Sequence, residues 1–431
     1  MHYQLYLDQK SLIIYTVDMK IGEFAKKFDL NVSTVRYYVN NGLLVPDKKN
    51  EQYNFGSDCV NDMENILKYK SYHFTLEEIQ LLFFLEKTSR FKDEVVLDLC
   101  AKLMKSKRSE LKKEQQELGE RIASLEEDIN GLPKTPDIDS QYSGVPFSFI
   151  PYLYCPKCGI PLKLDSAKIA EGYLQEGRLW CECGYEAAIE NGLIMCAEHY
   201  DETPMKTWKN VDSVIALPEE FSPEYRKLLS RAHQYMYNHI PTDPEDPQMI
   251  MVGPFTHNFF LAFIDKLGKN NIYVVIDPSR KRIEKLRQYL SESSYNIVYV
   301  VGGLDEFPVK KNFADIYIDD WSTTNMMFTF NKFNGEKIGP LLKRTGRVTG
   351  VYADYRSAQK GLANFKKQQP GFKPEKMTFS GLKYSWQQGG MKVNETKSMG
   401  FTSENSPDYP QDVLGEKVEL LAYTAVRDKK K

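Results

Sequence analysis

The chain has 431 residues, of which 42% are hydrophobic and 27% charged, and its formal net charge is −2. This composition is ordinary for a globular protein, and a charge this close to neutral neither requires nor excludes nucleic-acid binding. No apolar run approaches about 20 residues, which excludes a membrane-spanning helix. The length predicts two to four domains.

Residues 1–18 alternate weakly between apolar and polar side chains. They form either a short strand added to the first domain or a leader before an alternative start at Met19. The segment has no basic stretch and no long apolar core, so it does not resemble a signal peptide. We therefore expect a cytoplasmic protein without a membrane partner.

Residues 21–58 predict a helix, a tight turn, a second helix and a β-hairpin wing. Gly42 follows the second helix, where a left-handed backbone is common. In a winged helix-turn-helix the second helix enters the major groove and the wing contacts phosphates. The alternative is a helical bundle with a solvated charged face. The expected DNA-binding residues are Ser33, Thr34, Arg36 and Tyr37 on the helix and Lys48, Lys49 and Tyr53 on the wing.

Two further helices are predicted over 58–71 and 75–87, and Thr75 with Glu78 forms a capping-box pattern. A long helix follows from about 91 to 131. Its heptad pattern favours a coiled coil over an amphipathic helix packed on its own domain. The leucine and methionine positions of that pattern are Leu97, Met104, Leu111, Leu118, Leu125 and Leu132.

A cysteine-rich segment follows a linker that contains several Pro, Gly and Ser residues. Four of the seven cysteines lie close together, as Cys155, Cys158, Cys181 and Cys183. Two cysteine pairs at this separation predict a structural Zn²⁺ site with four thiolates in a zinc ribbon, in a reducing compartment. The second pair is C-x-C, so Cys196 is a reserve ligand, and unligated thiols are the alternative.

From about residue 221 the pattern alternates between helices and strands, which predicts a doubly wound parallel sheet. The stretches 375–386 and 416–428 are expected to be a closing pair of strands, and 379–405 either a lid or a surface excursion. Asp277 and Asp319 follow strands, and Gly253 lies in the loop after the first strand. A bound cofactor in such a sheet lies beyond the carboxyl ends of the strands.

The first 130 residues resemble the MerR family of transcriptional regulators through "IGEFAKKFDLNVSTVRYYVNNGLL", "YNF" and "FTLEEIQLL". The resemblance spans about residues 19–130. It implies a homodimer, paired through the long helix, on a palindromic promoter. An effector then makes the protein twist this double-stranded DNA so that RNA polymerase uses it. The sequence departs from the family pattern at Val39 and Asn54.

Residues 221–428 resemble class I S-adenosylmethionine-dependent methyltransferases in the order and spacing of their elements. The first motif of that family is an acidic residue followed by glycines at alternate positions. Here these positions hold Met251, Gly253, Phe255 and His257. Phe255 and His257 would crowd the cofactor, which favours a retired enzyme fold over active catalysis. The resemblance implies that Gly253, Asp277 and Asp319 bind the cofactor, and the sequence does not identify a catalytic residue.

The sequence thus predicts a multidomain α and α/β protein. Its expected function is a MerR-type regulator with a zinc ribbon and a methyltransferase-like domain that senses a small-molecule effector. The alternatives are an active S-adenosylmethionine-dependent methyltransferase that carries a DNA-binding domain, and a non-responsive scaffold. The expected parts are a DNA-binding domain at 1–90, a dimerisation helix at 91–132, a linker at 133–150, a zinc ribbon at 151–197 and an α/β domain at 220–431.

Overall fold

The structure is a computed structural model that describes residues 19–49, 52–89, 92–132, 144–197, 222–241, 246–255, 257–290, 295–403 and 413–428. The chain divides into two compact units, Met1–Thr135 and Pro136–Lys431. The expectations for residues 1–18 and for most of the linker lie outside the described residues. No helix of the described part is long and apolar enough to cross a membrane.

The first unit is helical, with a small sheet of order β1-β3-β2. Its core contains the inward residues of the first two helices, including Phe24 and Val35, both fully buried. Gly42 has φ +68°, as expected after the second helix. Its elements are β1 Met19–Lys20, α1 Ile21–Lys27, α2 Val32–Asn40, β2 Asp47–Lys49, β3 Gln52–Phe55, α3 Ser57–Ser71, α4 Leu76–Ser89 and α5 Glu94–Asn130.

The capping box predicted for α4 is present. The Thr75 backbone N–H donates to Glu78 Oε2 at 2.7 Å, and the Glu78 N–H donates to Thr75 Oγ1 at 3.2 Å. Glu78 also contacts Lys107 on α5 at 3.2 Å, and Lys107 lies over the Phe74 ring. These contacts hold the first half of α5 against α4.

The second unit begins with antiparallel hairpins and continues as a doubly wound sheet. The hairpin strands are β4 Val145–Pro146, β5 Lys163–Ala170, β6 Tyr173–Trp180, β7 Glu186–Glu190 and β8 Leu193–Cys196. The strands of the α/β part are β9 Met249–Val252, β10 Ile272–Asp277, β11 Asn296–Val301, β12 Ala314–Asp320, β13 Leu342–Asp354, β14 Met391–Thr402 and β15 Val418–Arg427. Its helices are α6 Pro223–Asn238, α7 Asn258–Leu267, α8 Arg280–Tyr289, α9 Ser322–Phe330, α10 Gly335–Ile338, α11 Gln359–Gln368 and α12 Phe379–Gln388.

The described strands of both parts form one sheet, in the order β14-β15-β13-β12-β9-β10-β11-β8-β7-β6-β4, with β5 paired to β6. The segment β11-β10-β9-β12-β13 is parallel and has the doubly wound order, which reverses between β9 and β12. β15 is antiparallel to both β13 and β14. The parallel segment is the doubly wound sheet that the sequence predicts, and the addition of β15 and β14 makes the sheet as a whole mixed.

The cysteine-rich hairpins are continuous with this sheet because β8 pairs in parallel with β11. Ile194 and Cys196 point into the core on one face, and Leu193 and Met195 point into the core on the other. A strand that is buried on both faces is an interior strand. The hairpins therefore belong to the same hydrophobic core as the α/β part.

The prediction of a closing strand at 375–386 is wrong, because this stretch contains the helix α12. Phe379, Leu382 and Trp386 recur at helical spacing and are all buried, and Thr378 Oγ1 accepts from the Gly381 N–H. The strand that closes the sheet beside β15 is β14, so 391–402 is neither a lid nor a loop. The preceding helix α10 is short: it ends at Ile338, and β13 begins at Leu342.

Candidate functional site

The outer face of α2 carries the predicted DNA-contacting side chains. Val35 and Tyr38 are buried in the core, which turns Ser33, Arg36 and Tyr37 outward, with Tyr37 52% exposed. Thr34 is half-buried. Asn31 occupies the N-cap position of α2, but its side chain makes no capping hydrogen bond.

The hairpin β2–β3 is the predicted wing. Lys48 lies directly opposite Tyr53 in the register of this hairpin, and both side chains are exposed. Lys49 pairs with Gln52 at the end of β2. The exposed residues of α2 and of the wing thus belong to one helix-turn-helix unit with a basic, aromatic hairpin.

The second half of α5 is exposed in the single chain. Cys100 and Lys107 are buried in the first half. Beyond them the apolar heptad positions are open to solvent, and the exposed fraction is 56% for Leu118, 60% for Leu125 and 64% for Ile129. This part of α5 does not pack on its own unit, so its apolar stripe has no intrachain cover among the described residues.

Four thiols form one cluster at two turns of the hairpins. The Sγ atoms of Cys155, Cys158, Cys181 and Cys183 all lie within 4.8 Å of one another. Two of the distances, Cys155–Cys183 and Cys158–Cys181, are 3.4 Å. A tetrahedral Zn²⁺ with Zn–S bonds of about 2.3 Å requires Sγ–Sγ distances of about 3.8 Å, so the cluster fits this ion.

Glycines make the two turns possible. Gly159 has φ +75° and its N–H donates to the Cys155 carbonyl, while Gly184 has φ +84° and donates to Cys181. Burial raises the pKa of Cys155, but the N–H groups of Cys158 and Lys157 and the Cys183 thiol lower it to about 7. Cys196 lies outside the cluster on β8, where its Sγ donates to the Glu306 carbonyl at 3.5 Å.

Asp277, at the end of β10, is fully buried and is already bonded inside the protein. Arg282 Nε donates to both of its carboxylate oxygens at 3.1 Å, and Arg282 Nη2 donates to Oδ1 at 2.7 Å. The N–H groups of Phe255 and Ser279 donate to the same carboxylate at 2.8 and 2.7 Å. Arg282 is itself only 1% exposed. No free oxygen of Asp277 therefore faces a ribose.

The loop after β9 is filled by its own side chains. Gly253 has no room for a side chain, because a Cβ there would lie 2.4 Å from Tyr317 Oη and 2.6 Å from Ser322 Oγ. Phe255 has φ +85°, is 4% exposed, and its ring lies 4.8 Å from the Arg282 guanidinium. His257 is fully buried and neither ring nitrogen has a hydrogen-bond partner among the described residues. Burial lowers the pKa of His257 to about 4.

The carboxylates at the end of β12 are also bonded internally. Asp319 accepts from the Thr323 N–H at 2.7 Å, from Thr323 Oγ1 and from Tyr423 Oη. Burial raises the pKa of Asp319 to about 6, although these hydrogen bonds lower it. Asp320 bonds His233 Nε2 on α6 at 3.0 Å and the Phe259 N–H at the start of α7 at 2.9 Å.

These contacts decide the fit of S-adenosylmethionine to the crevice where the strand order reverses. Arg282 donates hydrogen bonds to the Asp277 carboxylate, which is the group that would accept hydrogen bonds from the ribose hydroxyls. The Phe255 side chain fills the loop after β9, where the cofactor-binding family has glycines. The residues present do not fit the cofactor in this conformation. The sequence identifies Phe255 and His257 as side chains that crowd the cofactor loop. It gives no sign that Arg282 bonds Asp277, apart from the position of Arg282 five residues after Asp277 in "DPSRKR".

Comparison with known families matches residues 19–83 to the MerR HTH family regulatory protein model. The first unit carries a MerR-type helix-turn-helix domain. This match covers α1 and α2, the wing and most of the two following helices. No curated protein matches the chain.

The solved structures that are similar to this chain include methyltransferases. One is geranyl diphosphate C-methyltransferase from Streptomyces coelicolor A3(2), in complex with Mg²⁺, geranyl diphosphate and S-adenosyl-L-homocysteine. It is 12% identical over 53% of this chain and 91% of that chain, with a TM-score of 0.37. Another is a putative sarcosine dimethylglycine methyltransferase from Galdieria sulphuraria, 12% identical over 51% of this chain and 94% of that chain, with a TM-score of 0.34.

Proposed function

We propose that the protein is a DNA-binding transcription regulator of the MerR type, which acts as a homodimer on a palindromic promoter. The observation that carries the proposal is the family match at residues 19–83, together with the exposed side chains on α2 and on the wing. α2 enters the major groove, where Arg36 and Ser33 contact base edges or phosphates. Lys48, Lys49 and Tyr53 contact the backbone beside it.

The exposed stripe of α5 pairs the two subunits. Its apolar heptad residues recur over about five heptads, and a second copy of the same helix is the partner that this repeat suits. A two-fold dimer places two copies of α2 about one helical turn of DNA apart, which corresponds to an inverted repeat. RNA polymerase then uses the DNA that the dimer has twisted, and this deformation costs a few kcal/mol.

The second unit receives the signal and does not transfer a methyl group. Its crevice is closed by Phe255 and by the Asp277–Arg282 pair, and every carboxylate at its rim has internal partners. The cysteine cluster supports the hairpins with one structural Zn²⁺, held by Cys155, Cys158, Cys181 and Cys183. A ligand that binds this unit better in one conformation than in another would bias the promoter complex.

A selection of DNA duplexes from a random pool tests the proposal with the full-length protein. We expect enrichment of an inverted repeat, and we expect Arg36→Ala to weaken binding of the selected duplex by about tenfold or more. Arg344→Ala, an exposed arginine in the second unit, is the matched control and should bind as the wild type does. Failure to enrich any sequence, or enrichment that is insensitive to Arg36→Ala, would refute the proposal.

Calorimetric titration with S-adenosylmethionine and S-adenosylhomocysteine tests the enzymatic alternative. The closed crevice predicts no heat with either compound. Heat that disappears in Asp277→Ala would show that the crevice opens to the cofactor, and methyl transfer would then be the next assay.

A further inference from the structure

A cavity of about 700 Å³ lies where α12, the start of β14 and the end of β15 meet. β15 is antiparallel to β13, and Val426 pairs with Arg347 near the amino end of the parallel strands. The cavity is therefore at the opposite end of the sheet from the crevice at Asp277 and Asp319.

Two elements, α12 and β14, contribute polar side chains to the lining of the cavity. Lys383 and Gln387 are one turn apart on α12, and Lys392 and Asn394 are on one side of β14. Apolar side chains line the rest of the cavity, as Met391, Val393 and Val426.

The cavity has an excess of positive charge. Its cations are Lys383, Lys392 and Arg427, and its one acid is Asp428. Arg427 donates to neutral acceptors, the Gly389 and Leu342 carbonyls and Asn312 Oδ1. Among the described residues, neither lysine has a carboxylate partner, and Lys383 Nζ lies over the Phe379 ring. By contrast, Lys163 and Lys168 of the hairpins pair with glutamates. The charge of the cavity is thus available to a ligand.

We propose that this cavity binds a small organic anion, with a carboxylate or phosphate group on an apolar body. Ligand pockets typically have volumes of about 300–1,000 Å³, with apolar walls and a few polar groups that fix orientation. The two lysines and Arg427 attract the anionic group, and Val393 and Val426, the two apolar lining residues that are not fully buried, contact the body. That this anion is the effector rests on the proposed regulatory function.

α12 connects the cavity to the far end of the sheet. Trp386, beside Gln387, is fully buried, and its Nε1 donates to Tyr423 Oη at 3.2 Å. Tyr423 Oη in turn donates to Asp319 at the crevice end of β12. A ligand that binds the outer face of α12 therefore stabilises the packing of this helix on β15 and β12.

The test uses the full-length, DNA-free protein and the fluorescent anion 8-anilinonaphthalene-1-sulfonate. We expect Lys383→Gln/Lys392→Gln to weaken dye binding about tenfold, because two exposed charges are lost. The control Lys366→Gln/Lys367→Gln removes two exposed lysines from α11 and should bind the dye as the wild type does. All four substitutions are on exposed side chains, and far-ultraviolet circular dichroism confirms that the variants fold.

Displacement of the dye identifies the anionic group. Benzoate or phenyl phosphate should displace it, and the stronger competitor distinguishes a carboxylate from a phosphate ligand, whereas neutral benzyl alcohol should not compete. Equal dye affinity in the two double variants, or equal competition by benzyl alcohol, would overturn the proposal. Because DNA is absent, these outcomes are independent of the duplex selection: a protein that selects DNA but fails here keeps the regulatory function and loses only this site.

Discussion

Replacement of Arg282 by methionine tests whether the Asp277–Arg282 pair is a structural element. In Arg282→Met the Asp277 carboxylate keeps only the N–H donors of Phe255 and Ser279, in a fully buried place. Removing one partner of a buried ion pair typically costs about 3–5 kcal/mol. A domain is stable by about 5–15 kcal/mol, so the loss would be a large fraction of the total.

Urea unfolding followed by tryptophan fluorescence measures this loss in the intact chain. All four tryptophans lie in the second unit, so the signal reports on that unit alone. Arg280→Met, in the same helix, breaks partly exposed pairs with Glu284 and Glu190 and should cost less than about 1 kcal/mol. The double variant Asp277→Asn/Arg282→Met should lose less than the sum of its two single variants.

A small cost for Arg282→Met, similar to that of Arg280→Met, would refute this interpretation. It would mean that Arg282 is free to leave Asp277, and the carboxylate would again be available to a ribose. The same variant should not acquire binding of S-adenosylmethionine, because Phe255 still fills the loop.

Three further predictions concern other parts of the chain. Chelation of the metal should lower the urea midpoint of the second unit, with one Zn²⁺ released per chain; Cys158→Ser should lose the metal, while Cys196→Ser should retain it. Leu125→Glu should halve the mass measured by analytical ultracentrifugation, whereas Glu127→Gln, on the opposite face of α5, should not change it. The free energy of unfolding of His257→Leu relative to the wild type should be about 2–3 kcal/mol higher at pH 4.5 than at pH 7.5. The reason is that between pH 4 and 6.5 the unfolded chain binds a proton that native His257 does not, so wild-type stability falls as pH falls. A pH-independent difference between the two proteins would contradict the buried, neutral histidine.

The sequence predicts the parts of this protein whose signals are local. Helical spacing, the Thr75–Glu78 capping box and Gly42 locate the N-terminal helices to within a few residues. The strands β9, β10 and β11 are continuous apolar runs between helices, which is the local signal from which the sequence predicts a doubly wound sheet. The two cysteine pairs from which the sequence predicts a metal site form one cluster in the structure.

The failures come from interactions between distant residues or from mixed patterns. α12 is short, with Phe379, Leu382 and Trp386 among polar residues, and three of its ten residues are aromatic, a composition that suggests a strand. The pairing of β8 with β11 joins residues about 100 positions apart. The hydrogen bonds of Asp319 with Tyr423 and of Asp320 with His233 likewise join distant elements, and no local sequence pattern predicts them.

The position of β8 has a practical consequence for dissection of the chain. A fragment that begins near residue 220 would lack β8 and expose the edge of β11, together with the apolar faces of Val300 and Val301 that pack beside it. An uncovered parallel edge of this kind invites aggregation. The cysteine hairpins therefore cannot be removed or exchanged as an independent cassette, and the smallest fragment that keeps the sheet whole begins before Val145.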